Sequence, residues 1–327
     1  MTSGAAVAEP RLIRGPDPAA WDDLAAAAPG ASVFHTSAWA RVWTEEWPGS
    51  RWEAIVLEEG SRYVGAIGAV ARRRGPVTTI DAMPFATYGG PIVRPDHPNP
   101  DGARSLLLEA FAERARKPLV ARAQLTWYEG DREAIPSTLE VTEGFTHVLA
   151  LGGDYERVAD GFAPSTRRLV RQSDESGLTV RPAETIEEVE QFYAIAVETV
   201  RRRGGTAKPF SLYRRIFERM VPAGLARYHL VIHDGTPVAG SLHLFHQGVA
   251  MNWLPVSLAS AWHLRPNNFL IASLLESLCA AGYLEYNFGA SPPDAAGLIR
   301  FKEGWGARPR PVLIASRRSG WFQRLAG

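Results

Sequence analysis

Cysteine and long apolar runs are nearly absent from this sequence of 327 residues. The single cysteine, Cys279, excludes an internal disulfide and a cysteine-based zinc site, and its leucine neighbours favour a buried structural thiol. No stretch of about 18 uncharged apolar residues occurs, and the first residues show neither a basic lead nor an apolar core. The histidines show no metal-site pattern. We therefore expect a soluble, cytoplasmic protein with no transmembrane segment and no metal.

Lysine is also scarce, because only Lys117, Lys208 and Lys302 stand against 33 arginines. The chain thus usually places positive charge as guanidinium, a flat fork that stays protonated. Lys302 instead carries a compact ammonium within the aromatic and glycine-rich run Phe301–Gly306. A site for one developing oxyanion favours such a point donor. A solvated lysine at the start of a strand is the alternative.

Charge is unevenly distributed along the chain, although the net charge is only +1. Residues 1–163 hold 16 Lys plus Arg against 22 Asp plus Glu, a net charge of −6; residues 164–327 hold 20 against 13, a net charge of +7. A chain of this length with 46% hydrophobic residues can form two cores. We predict two domains, 1–163 and 164–327, of which the second meets any anionic ligand; an ordinary solvated surface is the alternative.

Hydrophobic periodicity and turn residues predict a similar order of elements in both halves. The first half contains, in order, strands at 52–58, 63–71 and 77–81, a helix over 101–114 with Asp101 as its N-cap, and a strand at 119–127. The second half contains helices at 184–203 and 211–220, a three-stranded meander over 228–254, a helix from Pro266 to about Ala281 ended by Gly282, and a strand at 284–288. A basic helix that starts at Pro164 and ends at Gly177 is predicted to connect the halves.

This repeated order resembles the tandem GNAT-type acyltransferase fold. The resemblance implies an α+β protein with two GNAT-like domains, each a mostly antiparallel mixed sheet flanked by helices. Four short runs are similar to the Fem-type (FemAB-like) branch of that superfamily, and the last of them is the most specific: Phe34–Trp39, Arg202–Gly204, Asn287–Gly289 and Phe301–Gly306. That branch contains aminoacyl-tRNA-dependent peptidoglycan ligases and many uncharacterised GNAT acyltransferases.

The resemblance implies transfer of an acyl or aminoacyl group from an activated ester or thioester to an amine, without a covalent enzyme intermediate. In Fem-type ligases the lysine of the phenylalanine-lysine motif lies at the reaction centre; here that position is Lys302, with Phe301 beside it. An ammonium about 2.7–3.1 Å from the carbonyl oxygen stabilises the negative charge that develops there. The sequence does not identify the base; His243, Glu303 and Asp294 have suitable side chains, but a sheet-face or loop role is favoured for each.

The donor stays undecided between aminoacyl-tRNA and acyl-CoA, and no bound cofactor is implied. Acyl-CoA users of the GNAT fold usually carry a glycine-rich pyrophosphate loop before the helix after the meander, but the matching stretch Pro255–Asn268 has no glycine. The long helical arm of some tRNA-dependent ligases is missing too, although arginine clusters such as Arg201–Arg203 can bind phosphates; a solvated basic helix face is the alternative for these clusters. The implied acceptor is an amine in a small molecule or cell-envelope precursor, and tRNA is a possible partner.

A cleft between the two halves is the expected substrate site, since ligand pockets favour domain interfaces. Five residues are predicted to bind substrate there: Tyr88, Arg203, Asn252, Trp253 and Ser291. A place in the core is the alternative for Trp253, whereas Arg203 ends a helix next to Gly204, where a guanidinium can clamp a carboxylate or phosphate. Two other functions stay open: an acyl-CoA-dependent N-acetyltransferase, and a noncatalytic tandem-GNAT binding protein in which Lys302 is dispensable.

Overall fold

The structure, a computed structural model, describes residues 9–320 and contains nine α-helices and thirteen strands within that range. The helices are α1 (Pro18–Ala27), α2 (Ser37–Glu46), α3 (Pro100–Arg116), α4 (Tyr155–Asp160), α5 (Pro164–Asp174), α6 (Ile186–Arg202), α7 (Phe210–Met220), α8 (Pro266–Ala280) and α9 (Ala296–Glu303). The strands are β1 (Arg11–Arg14), β2 (Ser50–Glu59), β3 (Arg62–Arg74), β4 (Val77–Ala82), β5 (Ile92–Val93), β6 (Val120–Tyr128), β7 (Glu140–Ala150), β8 (Thr179–Pro182), β9 (Ala226–His233), β10 (Thr236–His246), β11 (Val249–Ser257), β12 (Glu285–Ala290) and β13 (Arg308–Arg318).

The first of two compact units runs to Gly144 and takes up the chain again at Pro311. Its strands lie in the order β1, β2, β3, β4, β6 and β13, with β5 paired to β3. Neighbouring strands are antiparallel except for β4 and β6, which are parallel and are connected through α3. The core beneath α3 joins Leu107 and Phe111 to apolar side chains of the sheet such as Ile55 and Ile67.

The second unit, Phe145–Arg310, has the same plan. Its strands lie in the order β7, β12, β11, β10, β9 and β8, and only β11 and β12 are parallel, connected through α8. Leu274, Leu275 and Leu278 of α8 and the buried thiol of Cys279 pack with Tyr286 and Trp305 in one core. The predicted fold class is confirmed, because each unit is a mostly antiparallel mixed sheet with helices against it.

The predicted elements of both halves are present, but three features differ from the expectation. Asn99, and not Asp101, caps α3: its side chain accepts a hydrogen bond from the backbone N–H of Gly102, and Pro100 opens the helix. The prediction also lacked several observed elements: α1, α2, α4 and α9, and the strands β1, β5, β7, β8 and β13. The two compact units divide the chain at Gly144 and Arg310, so the predicted division between residues 163 and 164 falls inside the second unit.

The pairing of β13 and β7 explains why the boundary between the two units does not lie at the midpoint of the sequence. Strand β13 is antiparallel to β6 and pairs Val312 with Tyr128, which brings the C-terminal part of the described chain into the first unit. Strand β7 pairs with β12 in the second unit, although it begins at Glu140 in the first. No helix among residues 9–320 is both long enough and apolar enough to cross a membrane.

Replacing Asn99 with alanine removes the side-chain cap of α3, so we expect the free energy of unfolding to fall by about 1 kcal/mol. Asp101→Ala is the matched control, because Asp101 makes only an exposed ion pair with Arg104 near the same helix end, and its loss is expected to cost a few tenths of a kcal/mol. Urea unfolding of the two variants measures the difference. A larger loss for Asp101→Ala would contradict the assignment of the cap.

Candidate active site

Lys302 lies in the last turn of α9, and its side chain is buried with 4% exposure. The Nζ atom donates hydrogen bonds to the carbonyl oxygens of Gly289, at 2.6 Å, and Ala290, at 3.0 Å. An ammonium carries three protons, and the third has no hydrogen-bond acceptor among residues 9–320. The predicted alternative of a solvated lysine at the start of a strand is therefore wrong.

The end of β12 is shaped so that two successive carbonyls reach the same ammonium. Asn287 Oδ1 accepts hydrogen bonds from Thr146 Oγ1, at 2.7 Å, and from the backbone N–H of Gly289, at 2.8 Å. Gly289 has φ +77°, a conformation that favours glycine, and the pairing of β12 with β7 shifts register between Asn287 and Ala290. Such a bulge redirects the backbone, which explains why both carbonyls meet Lys302.

Burial lowers the pKa of Lys302 from its ordinary value of 10.5 to about 8. Lys302 makes no ion pair among residues 9–320, so the carbonyl dipoles hold the charge without a carboxylate. At neutral pH the side chain is therefore mostly an ammonium, but it releases its proton more readily than a solvated lysine. Perturbed pKa values of this kind are common among functional groups.

The residues around Lys302 in the run Phe301–Gly306 anchor the end of α9. Trp305 is fully buried against Phe162, with 5.0 Å between the ring centroids, whereas Phe301 is 36% exposed. A Cβ atom at Gly304 would lie 2.7 Å from Thr166 Oγ1 on α5. The glycine therefore permits α9 to approach α5 closely, and the tryptophan fixes the helix end that carries the ammonium.

Two predicted substrate-binding residues lie beside the bulge of β12. Ser291 follows Ala290 directly and is buried, and its Oγ has no hydrogen-bond partner among residues 9–320. Asn252 is 4% exposed on β11, and its backbone oxygen would lie 3.6 Å from a Cβ atom at Gly289. Its side-chain oxygen accepts a hydrogen bond from Ser241 Oγ. The structure thus places Ser291, Asn252 and Lys302 around Gly289.

The other predicted substrate-binding residues have different surroundings. Trp253 is half-buried, and the Lys208 ammonium lies 5.5 Å from the centre of its ring. Arg203 is exposed at the C-terminal end of α6. Tyr88 belongs to the first unit, where its ring stacks on Tyr128 at 5.1 Å and lines a cavity of about 350 Å³. The predicted cleft between the halves, and a substrate contact for these three residues, stay predictions.

The three side chains named as candidate bases are placed differently from one another. His243 is fully buried, and its ring nitrogens lie 3.0 Å from His229 Nδ1 and 3.0 Å from Tyr286 Oη. The pKa of His243 lies well below 6.5, mainly because the ring is buried and secondly because His229 lies beside it. Glu303 and Asp294 are exposed. His147 on β7 was not among the predicted site residues. It is fully buried, and its pKa is lowered first by burial and then by the charge of Lys302.

The sequence offers one signal for His147: it lies in a short stretch of alternating polar and apolar residues, which is typical of a strand but was not predicted as one. The side chains around His147 are brought there by the pairing of β7 with β12, two strands that lie far apart in the sequence. No group of three or more His, Cys, Asp or Glu side chains in the described part of the chain is placed to hold a metal ion. The described side chains near the bulge include the ammonium of Lys302, the imidazole of His147 and the hydroxyl of Ser291.

The lowered pKa of Lys302 predicts a specific pH dependence of stability. Between the folded pKa of about 8 and the ordinary value of 10.5, the unfolded chain binds this proton more tightly, so stability rises as the pH increases through that window. The full gain is of the order of 3 kcal/mol. Urea unfolding from pH 7 to 10.5 should show this rise reduced in Lys302→Met and retained in Lys117→Met, a change at an exposed lysine. Parallel pH profiles for all three proteins would contradict the buried ammonium.

Known proteins with the same architecture support this description. Residues 163–303 match the family model of the acetyltransferase (GNAT) domain. The fold is similar to that of FemX, with a TM-score of 0.70 and 14% identity over 96% of this chain and 98% of FemX. It is also similar to L-PGS from Bacillus licheniformis, with a TM-score of 0.57 and 15% identity over 98% of this chain and 96% of that one.

A tandem GNAT protein from the clavulanic acid biosynthesis pathway shares the fold as well, with a TM-score of 0.56 and 16% identity over 95% of this chain and 99% of that one. A comparison with curated proteins gave no match. The family match covers the segment that carries Lys302, and the structural likeness extends over nearly the whole chain. Residues 163–303 therefore match a GNAT domain, and the fold is similar to that of FemX and of the tandem GNAT protein from the clavulanic acid biosynthesis pathway.

Proposed function

We propose that this protein is an N-acyltransferase that moves an acyl or aminoacyl group from an activated ester or thioester directly to an amine. The observation that carries the proposal is the Lys302 ammonium, which is buried, bonded to two carbonyls and has one proton without an acceptor in the described range 9–320. Attack of an amine on the acyl carbon places negative charge on the carbonyl oxygen. A donor already fixed in a water-poor site stabilises that charge without having to reorganise.

Direct transfer is supported by the state of the possible nucleophiles. Burial raises the pKa of Cys279, so the thiol stays protonated and unreactive at neutral pH. Ser291 lies at the site, but its Oγ has no hydrogen-bond partner among residues 9–320, and a serine nucleophile needs a base bonded to its hydroxyl. The catalytic contribution therefore rests on holding ester and amine together and on stabilising the oxyanion.

The resemblance to Fem-type ligases favours an acceptor amine in a cell-envelope precursor or another small molecule, with aminoacyl-tRNA as one donor. Basic side chains in the second unit support a phosphate-rich donor, because Arg168 and Arg171 are exposed on α5 and Arg201 and Arg203 are exposed at the end of α6. Guanidinium groups bind phosphates well. Phe301, 36% exposed beside Lys302, is proposed to contact the acyl group.

An acyl-CoA-dependent N-acetyltransferase is the second candidate, and two observations favour it. Strands β11 and β12 pair only from Val249 to Met251 in their parallel register, although β11 continues to Ser257. An extended thioester arm can pair with strand backbone beyond that point. Arg265, at the N-terminus of α8, has φ +58°, so a left-handed turn forms there without the expected glycine. Such backbone strain often marks a functional site, and a helix N-terminus favours a pyrophosphate.

We expect Lys302→Met to lower kcat by about 10²–10³-fold, because it removes the oxyanion donor. Lys302→Arg should also be impaired, since a flat guanidinium cannot occupy the space of an ammonium between two carbonyls. Lys117→Met is the matched control, with rates equal to wild type. The measurement is the rate of acyl transfer to an amine from the donor that thermal-shift experiments identify, with circular dichroism confirming the fold. Wild-type rates in Lys302→Met would favour the noncatalytic binding protein.

The donor can be identified from thermal stability, because a ligand that binds only the native state must raise the melting temperature. We expect a rise in melting temperature with either acyl-CoA thioesters or aminoacyl-tRNA. If the ester is recognised, tRNA without its aminoacyl group should give no rise.

Arg265→Gly tests the second candidate, since glycine keeps the left-handed turn and removes the guanidinium. Loss of an acyl-CoA shift in that variant would support a phosphate contact at α8. Absence of a shift with every donor would count against an acyltransferase.

A further inference from the structure

We propose that His147 accepts the proton of the attacking amine in the transfer reaction, an inference that rests on the proposed function. Any amine that is protonated in water must lose protons before or during attack on an acyl group. Lys302 cannot serve as both the fixed oxyanion donor and the proton acceptor. A separate neutral base at the same bulge of β12 therefore completes the site.

The pairing of β7 with β12 locates His147. Val148 pairs with Asn287 and Thr146 pairs with Ala290, so His147 lies across from the bulge formed by Phe288 and Gly289. The carbonyl of Gly289 in that bulge is the one that binds Lys302 most closely. Ala290 is exposed, which places this end of β12 at the surface of the second unit.

Neither ring nitrogen of His147 has a hydrogen-bond partner within residues 9–320, although the side chain is fully buried. The buried His35 and His243, in contrast, have both ring nitrogens within hydrogen-bond distance of other groups. A buried polar group without a partner destabilises the fold by about 1–3 kcal/mol. Such a group is retained where a ligand completes its hydrogen bonds. Like the ring nitrogens of His147, the buried Oγ of Ser291 has no hydrogen-bond partner within residues 9–320.

The electrostatic surroundings keep His147 neutral, which is the form that accepts a proton. Burial lowers its pKa most, the charge of Lys302 lowers it further, and the nearby Glu303 raises it. A proton that arrives on the imidazole beside the ammonium is held weakly. It is therefore readily passed on to the leaving group, as the reaction requires of a group that acts first as base and then as acid.

The atoms and charges of the step balance as follows for an ester or thioester donor. His147 takes one proton from the ammonium form of the acceptor, and the neutral nitrogen then forms a bond to the acyl carbon. The bond between the acyl carbon and the leaving oxygen or sulfur breaks, and the proton passes from His147 to that atom. The second proton of the nitrogen is released to water, so the products are an amide, an alcohol or thiol and one free proton, and Lys302 keeps its protons throughout.

Acceptor amines of different basicity test the proposal. Transfer from acetyl-CoA or p-nitrophenyl acetate is measured to benzylamine, which is protonated at neutral pH, and to hydroxylamine, which is not. We expect His147→Gln to slow transfer to benzylamine by about 10²–10⁴-fold, and transfer to hydroxylamine much less. His147→Asn provides a second variant if the first is poorly folded. An equal loss with both amines, or no loss, would overturn the proposal.

His243→Gln is the matched control, because it alters another buried histidine whose nitrogens are already bonded. It is expected to affect both amines alike. Lys302→Met should slow both amines strongly, so normal rates in His147→Gln alongside an inactive Lys302→Met would reject the role of His147 and leave the proposed function intact. Wild-type rates in Lys302→Met would reject the proposed function instead.

A measurement that needs no substrate covers the case in which neither ester is a donor. Titration of the ¹⁵N-labelled imidazoles by NMR should show a pKa of His147 below 6.5 in the wild type. That pKa should rise in Lys302→Met, because the positive charge beside the ring is gone. A pKa that does not respond to Lys302→Met would show that the two side chains do not share a site and would overturn the proposal on its own.

Discussion

The candidate site depends on one ammonium that is buried without a carboxylate partner in the part of the chain that the structure describes, residues 9–320. Removing a charged group from water is unfavourable, and the cost is expressed in the lowered pKa of Lys302. Two carbonyl dipoles at the end of β12 offset part of that cost. They can converge only because β12 bulges at Gly289, and the side chain of Asn287 stabilises the bulge by accepting the hydrogen bond of the Gly289 N–H. The ammonium and the irregular strand therefore require one another.

The elements next to the bulge also hold Lys302 in place. Gly304 lets α9 approach α5, and Trp305 fills the core beneath the helix end, so the stem of Lys302 is directed toward β12. On the other side of the bulge, Thr146 on β7 donates to Asn287, which ties the strand that carries His147 to the same point. One irregular turn of backbone is thus contacted by two strands and one helix.

The repeated architecture explains where sequence reasoning succeeded and where it did not. Strands β2, β3, β9 and β10, and helices α6 and α8, have regular apolar spacing, and all were predicted within a few residues of their observed bounds. Strand β13 has two prolines and four arginines among its eleven residues, and β7 is largely exposed over its first half. Their strand structure comes from pairing with β6 and β12, which a local pattern does not report. Asn99 was missed as a cap because Asp101 is an equally good capping residue two positions later.

By itself, the sequence determined the kinds of the regular elements and their repeated order, and it directed attention to Lys302, because these depend on local spacing and on the rarity of lysine. It also directed attention to Ser291 and Asn252, which the structure places beside the same bulge. Only the tertiary structure decided that Lys302 is buried and bonded to two carbonyls, and that His147 lies across from them. The bonds of Lys302 join residues close in sequence, but they depend on the bulge of β12, and His147 meets that bulge through the pairing of two strands far apart in the chain, so strand register and not local pattern sets these distances.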